Sequence, residues 1–355
     1  MKPFDFIVIG GGIAGLISAY LLRDFKTLLI DEKGILEGAS KAAGAFLFPK
    51  VGFNTSYTKF INDGIVEALN FYQKLGINTN KKGVLILPRD EKDIEKFKKY
   101  EKEITLPFKK IDNGFYFEDG GVIEVEEVKE KIEVDYEIKK IDTIYKEDLW
   151  IVNGYKTKNI ILATGVKNLI DIPYIKIRPI WGERIEGESE YKELKYHFHK
   201  NCSLAVINQK TKIGATHKRD YIGSVDKKEV KTLLKKANEI LEIKNFKLEN
   251  IIGGYRAASI DYFPIVGKII EVNKTLNLNP KIIKGELPKE VVYIDGLYII
   301  NGMGARGFSN AYLCAKKLRD YILYNRDLGV IDSKRLFIKW ARKEGEKYVK
   351  SREGY

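Results

Sequence analysis

Apolar residues first gather at Phe6-Ile7-Val8-Ile9, an unbroken run with the length of a strand buried on both faces. Gly10-Gly11-Gly12-Ile13-Ala14-Gly15 follows with no linker. Residues 16–22 then open a helix, and Thr27-Leu28-Leu29-Ile30 predicts a second strand ending on Asp31. In 57–75, Phe60, Ile61, Val66, Leu69, Phe71 and Leu75 recur at roughly helical spacing before Gly76 ends the helix. Residues 81–87 read as a strand. The Lys/Glu-rich 90–103 reads as a surface helix whose charge run is a solvated face. Residues 114–123 suggest two short strands around Asp119-Gly120-Gly121. A helix over 126–131, a strand pair over 131–144 and a strand over 149–152 follow. Residues 159–164 form a buried strand running into Ala163-Thr164-Gly165, and 178–183 begins a sheet-rich middle with adjacent strands at 204–207 and 212–216. A helix over 226–241 precedes Gly253-Gly254-Tyr255-Arg256-Ala257-Ala258-Ser259. A last core strand, 296–300, runs into Gly302-Met303-Gly304-Ala305-Arg306-Gly307 and a helix over 309–324. Beyond it, Leu336, Ile338, Trp340 and Ala341 predict one more docked helix.

Composition narrows the class only a little. The 355 residues are 44% hydrophobic and 31% charged, ordinary for a globular chain with more than one lobe. Cys202 and Cys314 form no CxxC pair and no disulfide framework, which fits a reducing cytoplasm. The uncharged stretch 6–22 is only 17 residues long and is broken by four glycines, so it reads as a turn motif and not a membrane anchor. His197, His199 and His217 have no carboxylate or thiol cluster around them in sequence, and no metal site is expected. The net charge of +13 admits an anionic partner such as nucleic acid, although Lys-rich composition alone also produces it.

The chemistry begins at the first turn. Strand, GxGxxG, helix, strand and acid are the parts of a dinucleotide-binding unit. Gly10 permits the tight turn, Gly12 lets backbone N–H groups approach a pyrophosphate, and Gly15 lets the helix pack on the sheet. The N-terminal end of the helix, at Ile13 and Ala14, then faces the phosphates. Asp31, 21 residues after Gly10, is placed to hold ribose hydroxyls, with Glu32 beside it. Ala39, Ser40, Gly44 and Ala45 continue the small-residue surface. The later GxGxxG-like stretch is followed by no strand with a terminal acid. It is therefore expected to aim a second helix N-terminus at the same cofactor, not to form a second nucleotide domain.

In order, these motifs resemble the D-amino-acid-oxidase-like (DAO) family of FAD-dependent oxidoreductases, over residues 4–325. The stretches Leu36-Glu37-Gly38-Ala39-Ser40, Gly44-Ala45-Phe46-Leu47-Phe48-Pro49, Ile213-Gly214-Ala215-Thr216, 255–264 and 302–309 look most like the flavin domain of MnmC, the bifunctional enzyme of tRNA wobble-uridine modification. The methyltransferase half of that enzyme has no counterpart here, so the resemblance implies that the methyl-transfer step comes from a separate methyltransferase or is absent. It implies an α/β fold: a Rossmann-like FAD lobe from 1–75, 115–170 and 295–325, and a mostly antiparallel substrate lobe from 76–114 and 171–294. Residues 326–355 would form a basic helical tail. Non-covalent FAD is implied, with further contacts from Ile138, Ala163, Thr164, Gly165, Gly302, Gly304, Ala305, Arg306, Gly307 and Phe308.

The implied reaction is oxidation of an amine that carries an adjacent carboxylate. For 5-carboxymethylaminomethyluridine at the tRNA wobble position it would give 5-aminomethyluridine and glyoxylate. A small-molecule amine or amino-acid oxidase (glycine, sarcosine or a D-amino acid) is the alternative. Arg256 is the expected carboxylate anchor, because a planar guanidinium offers two parallel hydrogen bonds. Tyr255 is expected to add a hydroxyl, and Arg306 to stabilise the reduced flavin or hold substrate. Arg178 and His217 are lesser candidates. The basic tail, with Lys334, Arg335, Lys339, Arg342 and Lys343, is the best sequence cluster for tRNA phosphates.

Overall fold

The computed structural model describes residues 2–352. Its centre is the strand β1 (Phe4–Ile9). Phe6 and Val8 enter one apolar cluster together with Leu16 and Ile17 of helix α1 (Ile13–Leu21). Ile7 and Ile9 enter a second cluster on the opposite face, with Phe337 and Trp340. Both faces are covered, which is why this strand shows no polar alternation.

β1 pairs in parallel with β2 (Thr27–Asp31) on one side and with Tyr155–Leu162 on the other. Tyr136–Ile138 and Tyr293–Asn301 extend the sheet in parallel at its two flanks, and Ile265–Ile270 adds an antiparallel edge. α1, α2 (Ser56–Lys74) and the helix Gly307–Tyr324 contribute to one face. α2 buries Phe60, Ile61, Leu69 and Phe71 as the spacing predicts, and its N-terminus is capped by the Thr55 side chain, which accepts from the Thr58 N–H.

The second sheet has nine strands. Its spine is the long antiparallel pair Ile177–Glu188 and Lys247–Ser259. From Ile177–Glu188 it runs through Lys210–Gly214, Ser203–Ile207, His197–His199, Val84–Ile86, Gly114–Phe117 and Lys109–Ile111. All the pairings are antiparallel except His197–His199 with Val84–Ile86.

Several sequence expectations need correction. The segment 114–123 does form two strands, but they do not pair with each other. Gly114–Phe117 joins Val84–Ile86, and Gly121–Val122 joins Phe46–Leu47. The lobe boundary expected at 115 therefore falls inside a strand of the substrate sheet. At the other end, Ile265–Ile270 belongs to the first sheet, so the substrate lobe stops before 265 and not at 294. Within 131–144 only Tyr136–Ile138 is a full strand, paired with β2. The tail, by contrast, docks as expected. Lys334–Arg352 is a helix whose Leu336, Phe337, Trp340 and Ala341 are core residues behind β1.

Cys202 and Cys314 are both buried and free. Among the described residues, no helix is long and apolar enough to cross a membrane, and no group of three or more side chains is arranged to hold a metal ion.

Candidate functional site

One cavity of about 970 Å³ runs from the first glycine turn to the underside of the second sheet. Gly10 sits at φ +113°, and a β-carbon there would lie 2.3 Å from the Ala163 carbonyl oxygen. A β-carbon on Gly15 would lie 1.9 Å from the Gly10 carbonyl oxygen. Only glycine allows this turn and this helix approach. Near Gly12 an added β-carbon would meet only the Ser40 hydroxyl, at 3.5 Å, so the chain is open there toward the cavity.

Helix α1 has no side-chain cap on Gly12 and no acid in its first turn. The Gly307–Tyr324 helix likewise begins without a side-chain cap or a first-turn acid. The two starts abut, since a β-carbon on Gly307 would lie 3.1 Å from Ile13 Cγ2. Two positive helix ends from opposite ends of the chain therefore open on one cavity. This fits a bound diphosphate.

All but two of the cofactor residues expected from the sequence line this cavity. The exceptions are Gly15 and Ile138. Gly15 acts behind the turn, in helix packing. Ile138 is 61% exposed, and its side chain lies over Gly34, so it presents no side chain to the cleft. Two further corrections concern what the lining residues do. The Asp31 carboxylate accepts from the backbone N–H groups of Gly11 (2.8 Å), Lys33 (2.7 Å) and Gly34 (3.1 Å). It builds the turn, and the acid left at the lip is Glu32, paired with Lys167. The Ser40 hydroxyl accepts from the Ile13 N–H at 3.0 Å and so serves the start of α1.

At the far end the second sheet roofs the cavity. Arg256 and Tyr255 are neighbours on one strand, so their side chains leave opposite faces. The Arg256 guanidinium crosses Gly182, where a β-carbon would be 2.0 Å from Nη2, and its Nη1 donates to the Thr216 carbonyl at 3.1 Å. Burial lowers its pKa from the ordinary arginine value, yet no carboxylate pairs with it among the described residues. Two residues away on the same strand and face, paired with Gly182, Gly254 lets the sheet approach Ala39 and Ala42. Gly182 was not singled out from the sequence. The available signal was an isolated glycine inside a strand.

Tyr255 does not offer a free hydroxyl. Its oxygen accepts from the Gly223 N–H at 2.9 Å and donates to the Tyr221 carbonyl at 2.8 Å. Its ring stands edge-on to Trp181, with centroids 4.8 Å apart. Tyr255 thus fastens the 217–226 segment, which Glu183 also holds by accepting from the Asp226 N–H. Arg178 is likewise committed elsewhere: it donates to the Ser259 and Ile260 carbonyls and lies outside the cavity lining.

Arg306 does line the cavity and donates to the Phe48 carbonyl at 2.7 Å. Burial lowers its pKa, partly offset by Tyr57. His199, which shares a hydrogen bond with Ser203, is pushed down to about 4 by burial, then by the charges of Arg306, Arg89 and Lys50. His217 is lowered by burial and by Arg256 and Arg219. This end of the cavity therefore holds fixed cations and neutral imidazoles.

The model of the FAD-dependent oxidoreductase family known as DAO matches residues 5–321. The chain belongs to the DAO family. As a DAO protein it is an FAD-dependent oxidoreductase, and the cavity described above suits that cofactor in shape and polarity. No curated protein sequence matches the chain. Solved structures share its fold at low identity. Glycine oxidase from Geobacillus kaustophilus is 15% identical, with a TM-score of 0.75 over 94% of this chain and 99% of that one. L-proline dehydrogenase from P. horikoshii is 16% identical, with a TM-score of 0.74 over 94% and 98%. Iminodiacetate oxidase from Chelativorans sp. BNC1 is 15% identical, with a TM-score of 0.72 over 92% and 96%.

Proposed function

We propose that this DAO protein oxidises the CH–NH bond of an N-substituted glycine, and that its substrate is the carboxymethylaminomethyl group of a tRNA wobble uridine. The observation that carries the reaction class is Arg256: a partly buried, desolvated guanidinium on the wall of the cofactor cavity, without an ion-pair partner among the described residues. A buried cation without a counter-ion is costly, and a substrate carboxylate relieves that cost. Its fork geometry fixes the carboxylate in two places and so sets where the adjacent carbon lies.

FAD, when bound, supplies the hydride acceptor for that carbon, and water then splits the imine into glyoxylate and 5-aminomethyluridine. The protein must present the amine without its proton. Arg256 and Arg306 line that end of the cavity as cations, and the nearby histidines are held neutral, so the local field disfavours an ammonium. Gly12, Ile13, Ala14, Gly302 and Gly304 would hold the FAD phosphate region. Glu32, not Asp31, is the acid left for its ribose.

The RNA substrate is supported by the net charge of +13 and by the motif resemblance. The tail contributes less than its sequence suggests. Arg335 is bound to Asp261 through two bonds of 2.9 and 3.0 Å, and Arg342 donates to the Gly285 carbonyl. A second reading, oxidation of a free amino acid or amine, is favoured by the names of the glycine and iminodiacetate oxidases that share the fold. Nucleoside analysis of tRNA from cells lacking the protein separates the two. Accumulated carboxymethylaminomethyluridine supports the RNA substrate. An unchanged profile, with anaerobic bleaching of the flavin by glycine or iminodiacetate, supports the small molecule.

A further inference from the structure

Beside the Arg306 end of the cavity lies a row of rings and cations that the reaction does not use. Phe48 and Pro49 form the cavity wall, and Lys50 follows them. The Lys50 ammonium lies 5.7 Å from the centroid of the Tyr57 ring. The Tyr57 ring is 6.4 Å from that of Tyr262, and the Arg178 guanidinium lies 5.6 Å from the Tyr262 centroid. Cation, ring, ring and cation thus follow one another away from the cleft. Among the described residues, Lys50, Arg178 and Arg306 have no ion-pair partner, although acidic side chains are common elsewhere on the surface.

Tyr262 is the least expected member. It is 57% exposed and sits at φ +69°, a conformation that disfavours a bulky aromatic residue. The residues on either side are clamped. Arg335 binds the Asp261 carboxylate and donates to the Phe263 carbonyl at 2.9 Å. The turn itself would be served better by glycine or asparagine. A large ring is therefore held outward at a position where local folding favours a smaller residue.

We propose that Lys50, Tyr57 and Tyr262 form a track for single-stranded RNA beside the cleft, with Tyr262 as the platform on which a base stacks and Arg178, held by the Ser259 and Ile260 carbonyls, steadying that ring. Aromatic faces take any base, and a cation at the end of the row takes a phosphate, so the row fits an unpaired loop better than a duplex. The track rests on the reading of the substrate as a tRNA nucleotide. It adds the position where the nucleotides flanking the wobble base would lie.

The test uses the FAD-loaded protein and a fluorescently labelled anticodon stem-loop, with binding read by anisotropy. Tyr262→Gly removes the ring and suits the backbone, so the variant should melt no lower than the wild type and carry equal flavin. It should nevertheless bind the stem-loop at least about tenfold more weakly, and Tyr262→Phe should restore binding. Lys50→Gln should weaken binding and reduce its dependence on salt. With the stem-loop as substrate, the loss should fall on KM more than on kcat. If the wild type binds the stem-loop while Tyr262→Gly and Lys50→Gln bind within twofold of it, the track is wrong and the RNA substrate stands. If the wild type binds no RNA but its flavin is bleached by glycine or iminodiacetate, both the track and the RNA substrate fall.

Discussion

The Arg256 guanidinium lies across the backbone of Gly182, on the neighbouring strand, in space that any side chain there would fill. Gly182→Ala should therefore displace Arg256 without touching the FAD cradle. The expected result is a protein with normal flavin content and a KM for the amine raised at least about tenfold, as a misplaced anchor costs substrate positioning. Steady-state kinetics beside the flavin absorbance ratio check it.

Arg256→Lys keeps the charge but loses the fork. It should bind FAD normally and still show a loss of about a hundredfold or more in kcat/KM, with Arg256→Ala lower again. Normal turnover by either variant would remove Arg256 from the reaction.

Gly15→Ala places a β-carbon 1.9 Å from the Gly10 carbonyl, which belongs to the turn itself. No flexible side chain can give way there. The variant should purify with little or no flavin and melt at a lower temperature, and added FAD should recover only part of the difference. The absorbance spectrum after purification and a melting curve with and without FAD read both effects.

His199 gives a stability signal with a definite sign. Its folded pKa, pushed down to about 4, lies below its ordinary value of 6.5, so the unfolded chain binds the proton more readily. Stability should fall as the pH drops through about 6.5 and stop falling from this source near 4, by at most about 1.4 kcal/mol per pH unit. His197 and His217 are also lowered and act in the same direction. Carboxylates such as Glu37, lowered to about 2 by Lys129 and Lys41, add their loss at more acid pH. His199→Gln should flatten the melting temperature between pH 6.5 and 4.5 relative to the wild type. An unchanged slope would place the histidine in a more hydrated setting.

Tyr255→Phe should leave FAD binding intact, since the hydroxyl contacts only the 217–226 segment. Its expected signature is faster limited proteolysis or amide exchange within that segment. A large fall in the chemical step, with the segment as well protected as before, would return the hydroxyl to the reaction.

The parts legible in sequence were those whose chemistry is local. The Gly10–Gly15 turn is read from six adjacent residues because each glycine answers a contact within the same strand–helix unit. Arg256 stands out as the guanidinium within the family-like stretch 255–264. What stayed hidden depends on pairing across strands. Nothing near Gly182 in sequence says that Arg256 will lie on it, and nothing near Tyr255 says that Gly223 will occupy its hydroxyl. Asp31 was read as a ribose acid because its spacing is right. Three backbone N–H groups within the turn claim its oxygens, a commitment that arises only once the turn has folded. The lobe boundaries missed for the same reason, since Gly114–Phe117 and Ile265–Ile270 take their allegiance from partners far away in sequence.

The abutting starts of α1 and the Gly307–Tyr324 helix bear on how the protein is made. A ribosome delivers the glycine turn at 10–15 long before the second wall of the cavity, which arrives only after residue 307 has left the exit tunnel. Until then the nascent chain has half a socket. Capture of the dinucleotide therefore waits for that later helix, and a message truncated before it should yield a polypeptide without colour.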